Sequence, residues 1–304
     1  MMVNTLEAKN MTIDSLPGNS LGFLGPWGTY SEEAAHILCQ NRDRELIPYP
    51  GIDAAIRATD AGEIAECIVP AENSLDGSVN ITLDTLAHDV HLYITHEIIF
   101  PVRHNLLIKT PGTDISSIVS HPQALAQCRN TLRRLYPQAK ILPAGSTGEA
   151  ARLVAAGQYA AAVGSLKAAS AYGLQAVVSD LQDSPHNFTR FIVLERQPAQ
   201  NPQGSCKTSL VCKINGERPG SLCDVLQEFA RRNVNMTRIE SRPARTGLGL
   251  YIFFFDLEGS AADSNLRSAL EAVCAKSIWY KNLGSYPTNS KTLNLLNDHD
   301  QVYL

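Results

Sequence analysis

Glu72, Asn73 and Ser74 put an acid, an amide and a hydroxyl on three consecutive positions, one residue after the apolar run AECIVP. At the end of a buried strand this cluster offers a proton carrier, a two-way hydrogen-bonding group and a donor to a cleft mouth. The alternative is an ordinary turn, in which Asn and Ser bond their own backbone. A second set, Asn187-Phe188-Thr189-Arg190-Phe191, leads into the apolar run IVLE. The guanidinium of Arg190 has the planar fork that matches a carboxylate. Thr189 and Arg190 are neighbours, however. On a regular strand they face opposite sides, so period two alone does not bring both into one cleft.

Three helix-start signals stand just after predicted strands. Thr29-Tyr30-Ser31-Glu32 and Ser146-Thr147-Gly148-Glu149 have the T/S-x-x-E form of a capping box. Ser120-His121-Pro122-Gln123 has the related S-x-x-Q form, with proline where its missing N–H costs nothing. A helix N-terminus presents unpaired N–H groups and a partial positive charge. Each box by itself only caps a helix; three at strand ends of one domain point to an anion-holding cleft.

The elements that would carry these residues alternate. LGFLG, AECIVP, VRHNLLIK, SSIVS, AKILPA, YAAAVG and TRFIVLE read as strands, and helical patterns follow several of them, which predicts mostly parallel sheets flanked by helices. QPAQNPQGSC (197–206) has a linker's composition and marks a domain boundary. Beyond it, Lys207–Ile214 reads as a strand. Leu222, Val225, Leu226 and Phe229 share one helical face after Ser221. Strands over 234–242 and 248–257, a second helix around Leu266–Cys274 and a last strand near 279–283 complete the order β-α-β-β-α-β, a ferredoxin-like split. The expected division is a polar arm over 1–20, an α/β domain over 21–200, a small domain over 205–288 and a tail over 289–304.

Bulk properties exclude several classes. The chain has 304 residues, 44% hydrophobic and 18% charged, with a formal net charge of -4 and no long basic run, which speaks against a nucleic-acid partner. The start lacks a signal peptide's pattern, and the longest apolar run is too short to span a bilayer, so no membrane association and a cytoplasmic location are expected. Seven cysteines without a C-x-x-C pair read as reduced thiols, and the eight histidines show no ligand spacing, so no metal is expected.

Taken in order, GPWGTYSEEAA (25–35), IVPAENSLDGSVNITLDTL (68–86), SHPQALAQC (120–128) and HNFTRFIVLE (186–195) resemble the signatures of the prephenate dehydratase family. RPGSLCDVLQEFA (218–230), NVNMTRIESRP (233–243) and LGSYP (283–287) resemble its ACT regulatory domain. The resemblance implies a catalytic domain similar to type II periplasmic binding proteins, with lobes over 21–100 plus 180–200 and over 101–179. It places the essential threonine on Thr189, with Arg190 and Phe191 completing that motif, and cleft polar residues on Thr29, Glu72, Asn73, Ser74, Ser120 and Gln123. Phenylalanine-site positions fall on Gly220, Ser221 and Leu222, where Ser221 stands for the usual alanine, and on Glu240, Ser241, Arg242 and Pro243.

The implied reaction removes the ring carboxylate of prephenate as CO2 and expels the 4-hydroxyl, giving phenylpyruvate. The diene is its own electron sink, so no cofactor is expected. Thr189 would assist the leaving hydroxyl, Glu72 or His121 would supply the proton, and Arg190 would hold the side-chain carboxylate. The resemblance also implies a homodimer or homotetramer inhibited by L-phenylalanine. Arogenate dehydratase would keep every motif. A decarboxylase that retains the hydroxyl, or a non-catalytic amino-acid or carboxylate sensor, fits the polar motifs less well.

Overall fold

The structure, a computed structural model, describes residues 19–39, 44–216 and 218–288. The expected tail and all but the last two residues of the expected arm lie outside the described residues. The first lobe runs β1 (Ser20–Leu24), α1 (Tyr30–Cys39), β2 (Glu45–Tyr49), α2 (Ile52–Ala61), β3 (Glu66–Asn73), the two-residue β4 (Gly77–Ser78), α3 (Asn80–His88) and β5 (Tyr93–Pro101). The chain then crosses into the second lobe: β6 (Asn105–Ile108), β7 (Ser117–Ser120), α4 (Pro122–Gln127), α5 (Arg129–Leu135), β8 (Lys140–Pro143), α6 (Thr147–Ala155), β9 (Ala161–Gly164), α7 (Leu166–Tyr172) and β10 (Gln175–Val178). It returns as β11 (Phe188–Glu195).

The sheets are more mixed than the alternation predicts. In the first, ordered β2-β1-β3-β11-β5 with β4 on β3, β1 is parallel to β2 and β3, but β11 runs antiparallel between β3 and β5. In the second, ordered β10-β6-β9-β7-β8, β6 is antiparallel to both neighbours. The reason is connectivity: β11 comes back from the other lobe, not from a helix on the same sheet, so it need not obey the parallel crossover rule. Strands β2, β5 and β10 and helix α3 were not among the elements expected from the sequence.

The C-terminal domain runs β12 (Cys206–Ile214), α8 (Ser221–Ala230), β13 (Met236–Pro243), β14 (Tyr251–Glu258), α9 (Ser264–Lys276) and β15 (Ser277–Pro287), the expected β-α-β-β-α-β order. Its antiparallel sheet has the order β13-β14-β12-β15. One face packs Leu210, Cys212, Phe255 and Leu257 against Val225 and Phe229 of α8 and Leu266 and Val273 of α9. Burying a side chain such as Phe229 contributes about 1.5–3 kcal/mol. The opposite face supplies Val211, Ile252, Phe254, Leu283 and Tyr286 to one core with Ala71, Leu83, Leu86, Ile94, Ile192 and Leu194 of the first lobe. The two domains thus share a core, and β11 lies against both.

No helix among the described residues is long and apolar enough to cross a membrane.

Candidate active site

A cavity of about 310 Å³ opens between the lobes. Its walls come from the start of α1 (Thr29, Tyr30, Ser31), the face of α4 with its cap (His121, Gln123, Gln127), the start of α6 (Ser146, Thr147), the crossing segment between β5 and β6 (Val102, His104) and the strands carrying Asn73, Thr189 and Phe191. Two of the predicted capping boxes form. Thr29 Oγ1 accepts from Glu32 N–H at 3.3 Å, and the Glu32 carboxylate accepts from Gly28 N–H at 2.5 Å. Ser146 Oγ accepts from Glu149 N–H at 3.0 Å, and Glu149 accepts from Gly145 N–H at 2.8 Å.

The third box does not form. Ser120 is fully buried and donates to Val163 O at 2.6 Å, while His121 caps α4, its Nδ1 accepting from Gln123 N–H at 3.3 Å. Ser120 therefore ties β7 to β9 beneath the cleft and is absent from its lining.

Strand β11 divides its residues by face. Thr189 and Phe191 line the cavity, whereas Arg190 turns to the C-terminal domain, as period two requires. Glu72 goes with Arg190, through a bulge. Arg190 is opposite Glu72 and Phe191 is opposite Pro70, so Ala71 is the extra residue in β3. Ala71 packs in the shared core, and the irregularity sends Glu72 to the same side while aiming Asn73 into the cavity. Bulges beside functional sites commonly re-aim a side chain in this way.

Arg190, expected at the substrate, and Glu72, expected as a proton donor, instead lie outside the cavity lining, in a charge network that is nearly buried at Arg190 and open to solvent at Glu72. The Arg190 guanidinium meets Glu97 at 2.9 Å and Asp256 at 2.5 Å, and donates to Tyr286 Oη at 2.7 Å. Lys207 meets Glu97 at 2.9 Å, and Arg238 meets Glu72 at 3.1 Å. Burial alone pushes the Asp256 carboxyl up, but the Arg190 charge and the Ser209 hydroxyl bring it below the usual carboxylate range. Ser74, also expected in the cleft, instead closes the crossing loop: its hydroxyl donates to His186 O at 2.7 Å and accepts from Phe188 N–H at 2.9 Å.

The donor pattern at Thr189 follows from its neighbours. Asn73 Oδ1 accepts from Leu75 and Asp76 N–H, which identifies its amide end. That amide donates to Thr189 Oγ1 at 3.0 Å and to Asn187 Oδ1 at 2.9 Å. With its oxygen held as an acceptor, Thr189 keeps its own proton for the cavity.

Three cavity residues, Tyr30, His104 and Gln127, carry polar contacts that no motif reading assigned. Asn187 Nδ2 donates to Gln127 Oε1 at 2.8 Å, and Gln127 Nε2 donates to Asp76 at 2.5 Å. Gln127 Oε1 also lies 2.9 Å from His104 Nε2, and His104 Nδ1 lies 2.8 Å from the Tyr30 hydroxyl. Because the Gln127 oxygen only accepts, the His104 proton sits on Nε2, and the one Tyr30 hydroxyl proton is shared between His104 Nδ1 and Arg103 O at 2.9 Å. Burial holds the His104 ring below the ordinary histidine pKa, partly offset by Gln127, and burial lowers His121 too. Gln127 stood in the quoted segment SHPQALAQC; only the spacing from Gln123 to Gln127, one helical turn, pointed to a shared face.

Among the described residues, no lysine or arginine lines the cavity. Anionic groups there meet N-terminal helix dipoles and neutral donors. A wider open groove of about 790 Å³ between the linker and the C-terminal domain gathers none of these residues.

The lobes approach closely at Gly148, where an added Cβ would lie 2.6 Å from Trp27 O. Gly148→Ala is expected to wedge the lobes apart and raise KM several-fold, with a stability loss of about 1–3 kcal/mol, the usual cost of overpacking. Steady-state kinetics beside a melting curve checks this; an unchanged KM would show that closure does not require this contact.

In the C-terminal domain Gly220 precedes α8 with φ 86°, and Ser221 and Leu222 open the helix. Along β13, Ile239 pairs with Phe255 and Ser241 with Phe253, which places Ser241 and Pro243 on the helix side of the sheet. Glu240 and Arg242 face the first lobe, where they meet Ser78 and Asp84. The expected effector motif is therefore split between two faces.

Residues 21–199 match the family model for prephenate dehydratase, and residues 208–275 match that for the ACT domain. A prephenate dehydratase of Mycolicibacterium vanbaalenii is 37% identical over 293 residues, covering 90% of this chain and 92% of that one. A solved prephenate dehydratase from Arthrobacter aurescens in complex with L-Phe superposes with a TM-score of 0.83 at 32% identity, covering 93% of this chain and 98% of that one. GqqA, described as a novel type of quorum-quenching acylase, has a TM-score of 0.77 at 29% identity, covering 89% of this chain and 98% of that one. With its catalytic and ACT regions matched in order over most of its length, the chain belongs to the prephenate dehydratase family.

Proposed function

We infer that the chain converts prephenate into phenylpyruvate, CO2 and water, and that Thr189 is its central catalytic group. The observation that carries this is the Asn73–Thr189 pair, which directs one hydroxyl proton into a cavity lined by neutral groups. In the reaction the bond from the ring to its carboxylate breaks and releases CO2. Its electron pair moves through the diene, and the C–O bond at position 4 breaks. The departing oxygen takes a proton and leaves as water.

Thr189 donates toward that oxygen. His121 replaces Glu72 as the group that restores the proton: with Nδ1 accepting from Gln123, its proton sits on Nε2. The starts of α1 and α6 hold the side-chain carboxylate, because their free N–H groups and dipoles favour an anion. The ring carboxylate belongs against Phe191, Val79 and Val102, where few donors compete with decarboxylation. Here Thr189 Oγ1 is hydrogen-bonded to an amide, not to a base that would make it a nucleophile of the kind an acylase needs.

The enzyme works in the cytoplasm as a homodimer or homotetramer, and L-phenylalanine inhibits it by binding the ACT domain near Gly220–Leu222 and Ser241. Support comes from the solved relative in complex with L-Phe and from the exposed helix-side residues of β13. The deciding experiment mixes purified protein with prephenate, and separately with arogenate, and follows phenylpyruvate and phenylalanine. Turnover of prephenate is expected; conversion of arogenate alone would reassign the substrate, and conversion of neither would end the dehydratase reading.

A further inference from the structure

Strand β13 touches two things at once. Its alternate residues Arg238, Glu240 and Arg242 all reach into one short stretch of the catalytic domain. Arg238 donates to Ser78 Oγ at 2.6 Å and meets Glu72 at 3.1 Å. Ser78 in turn donates to Glu240 at 2.7 Å. Arg242 grips Asp84 with both arms, at 3.0 and 2.9 Å, which holds the Asp84 carboxyl below its usual range despite partial burial. Ile239, Ser241 and Pro243 point the other way, to the helix side, where all three are exposed.

The gripped stretch, residues 72–84, covers the end of β3, all of β4 and the start of α3. It contains Asn73 and Val79, both in the cavity wall. Ser78 pairs with Glu72, and Gly77 pairs with Asn73, so a shift of β4 acts on the residue that orients Thr189. β13 is an edge strand with a single strand neighbour and an irregularity between Met236 and Arg238. Strands of this kind move at lower cost than central ones.

We propose that β13 transmits effector binding to the active site: its odd-numbered residues meet the ligand, while Arg238, Glu240 and Arg242 position the 72–84 segment and through it the Asn73–Thr189 pair. This rests on the reading of the ACT domain as an L-phenylalanine sensor. Ser78 and Asp84 are the contact points on the catalytic side, and neither lines the cavity nor lies on the effector side. They are the residues to change.

The Ser78→Ala/Asp84→Asn double variant of the full chain is expected to keep binding L-phenylalanine by calorimetry. Its half-inhibitory L-phenylalanine concentration should rise about tenfold or more, within the range of ordinary coupling free energies. Hydrogen exchange gives a readout independent of turnover: L-phenylalanine should alter exchange over 72–84 in the wild type and leave that segment unchanged in the variant. Inhibition as strong as in the wild type, or a wild-type segment 72–84 that ignores L-phenylalanine, would overturn the proposal. A wild type that exchanges as expected but leaves prephenate intact would instead remove the dehydratase reading.

Discussion

Thr189→Val is expected to lower kcat by about 10²–10⁴-fold, the contribution of a positioned proton donor, with KM changed little. Valine matches the shape of threonine and removes only the hydroxyl. The Asn73 amide keeps Asn187 Oδ1 at 2.9 Å and Phe188 O at 3.1 Å as acceptors, so no buried donor is stranded and the fold should remain intact. Thr189→Ser, which retains the hydroxyl, should recover most of the lost rate. A folded valine variant with a near wild-type kcat would show that the leaving group finds its proton elsewhere, and His121 would then be the group to test.

Arg190→Met is expected to act on stability before it acts on binding. It leaves Glu97 and Asp256, both nearly buried, without the cation that lies between them. Breaking one side of such a network costs about 3–5 kcal/mol, because the remaining charges stay desolvated. At a few degrees per kcal/mol, that is a fall of about 10 °C in Tm. Adding Asp256→Asn to Arg190→Met should restore part of the loss, since one fewer buried charge is left unpaired. The two domains share both this network and a hydrophobic core, so unfolding should stay concerted in the wild type and lose cooperativity in the variant. An Arg190 variant with unchanged Tm and a raised KM would return the residue to the substrate.

The two results together separate the faces of one strand. Thr189 and Arg190 are chain neighbours, yet one is expected to govern turnover and the other the seating of the regulatory domain. If the face assignment holds, kinetic and stability effects should segregate along β11 with period two.

Much of the architecture was legible in the residues alone. Alternating apolar runs and helical faces located most strands of both lobes and the β-α-β-β-α-β order of the C-terminal domain. Local chemistry also predicted the caps at Thr29 and Ser146, because a hydroxyl and a carboxylate three positions apart can each accept from a backbone N–H of the same first turn. The adjacency of Thr189 and Arg190 already implied that they part company across a strand.

Other features were settled only by contacts distant in the chain. The strand over Tyr93–Pro101 carries His96 and Glu97 in its middle, which looks unlike a core strand. Glu97 is tolerated there because Arg190 and Lys207 arrive from elsewhere. Ser120 looked like a cap, but the carbonyl of Val163 on the neighbouring strand claims its hydroxyl. The bulge at Ala71 depends on the register between β3 and β11, strands more than a hundred residues apart, and no local propensity encodes it. That single extra residue decides that Asn73, not Glu72, enters the cavity. The sequence therefore determined which groups were available and which segments would carry them. Tertiary pairing decided which way each group faced, because side-chain direction on a strand is set by register, and register is a property of two segments at once.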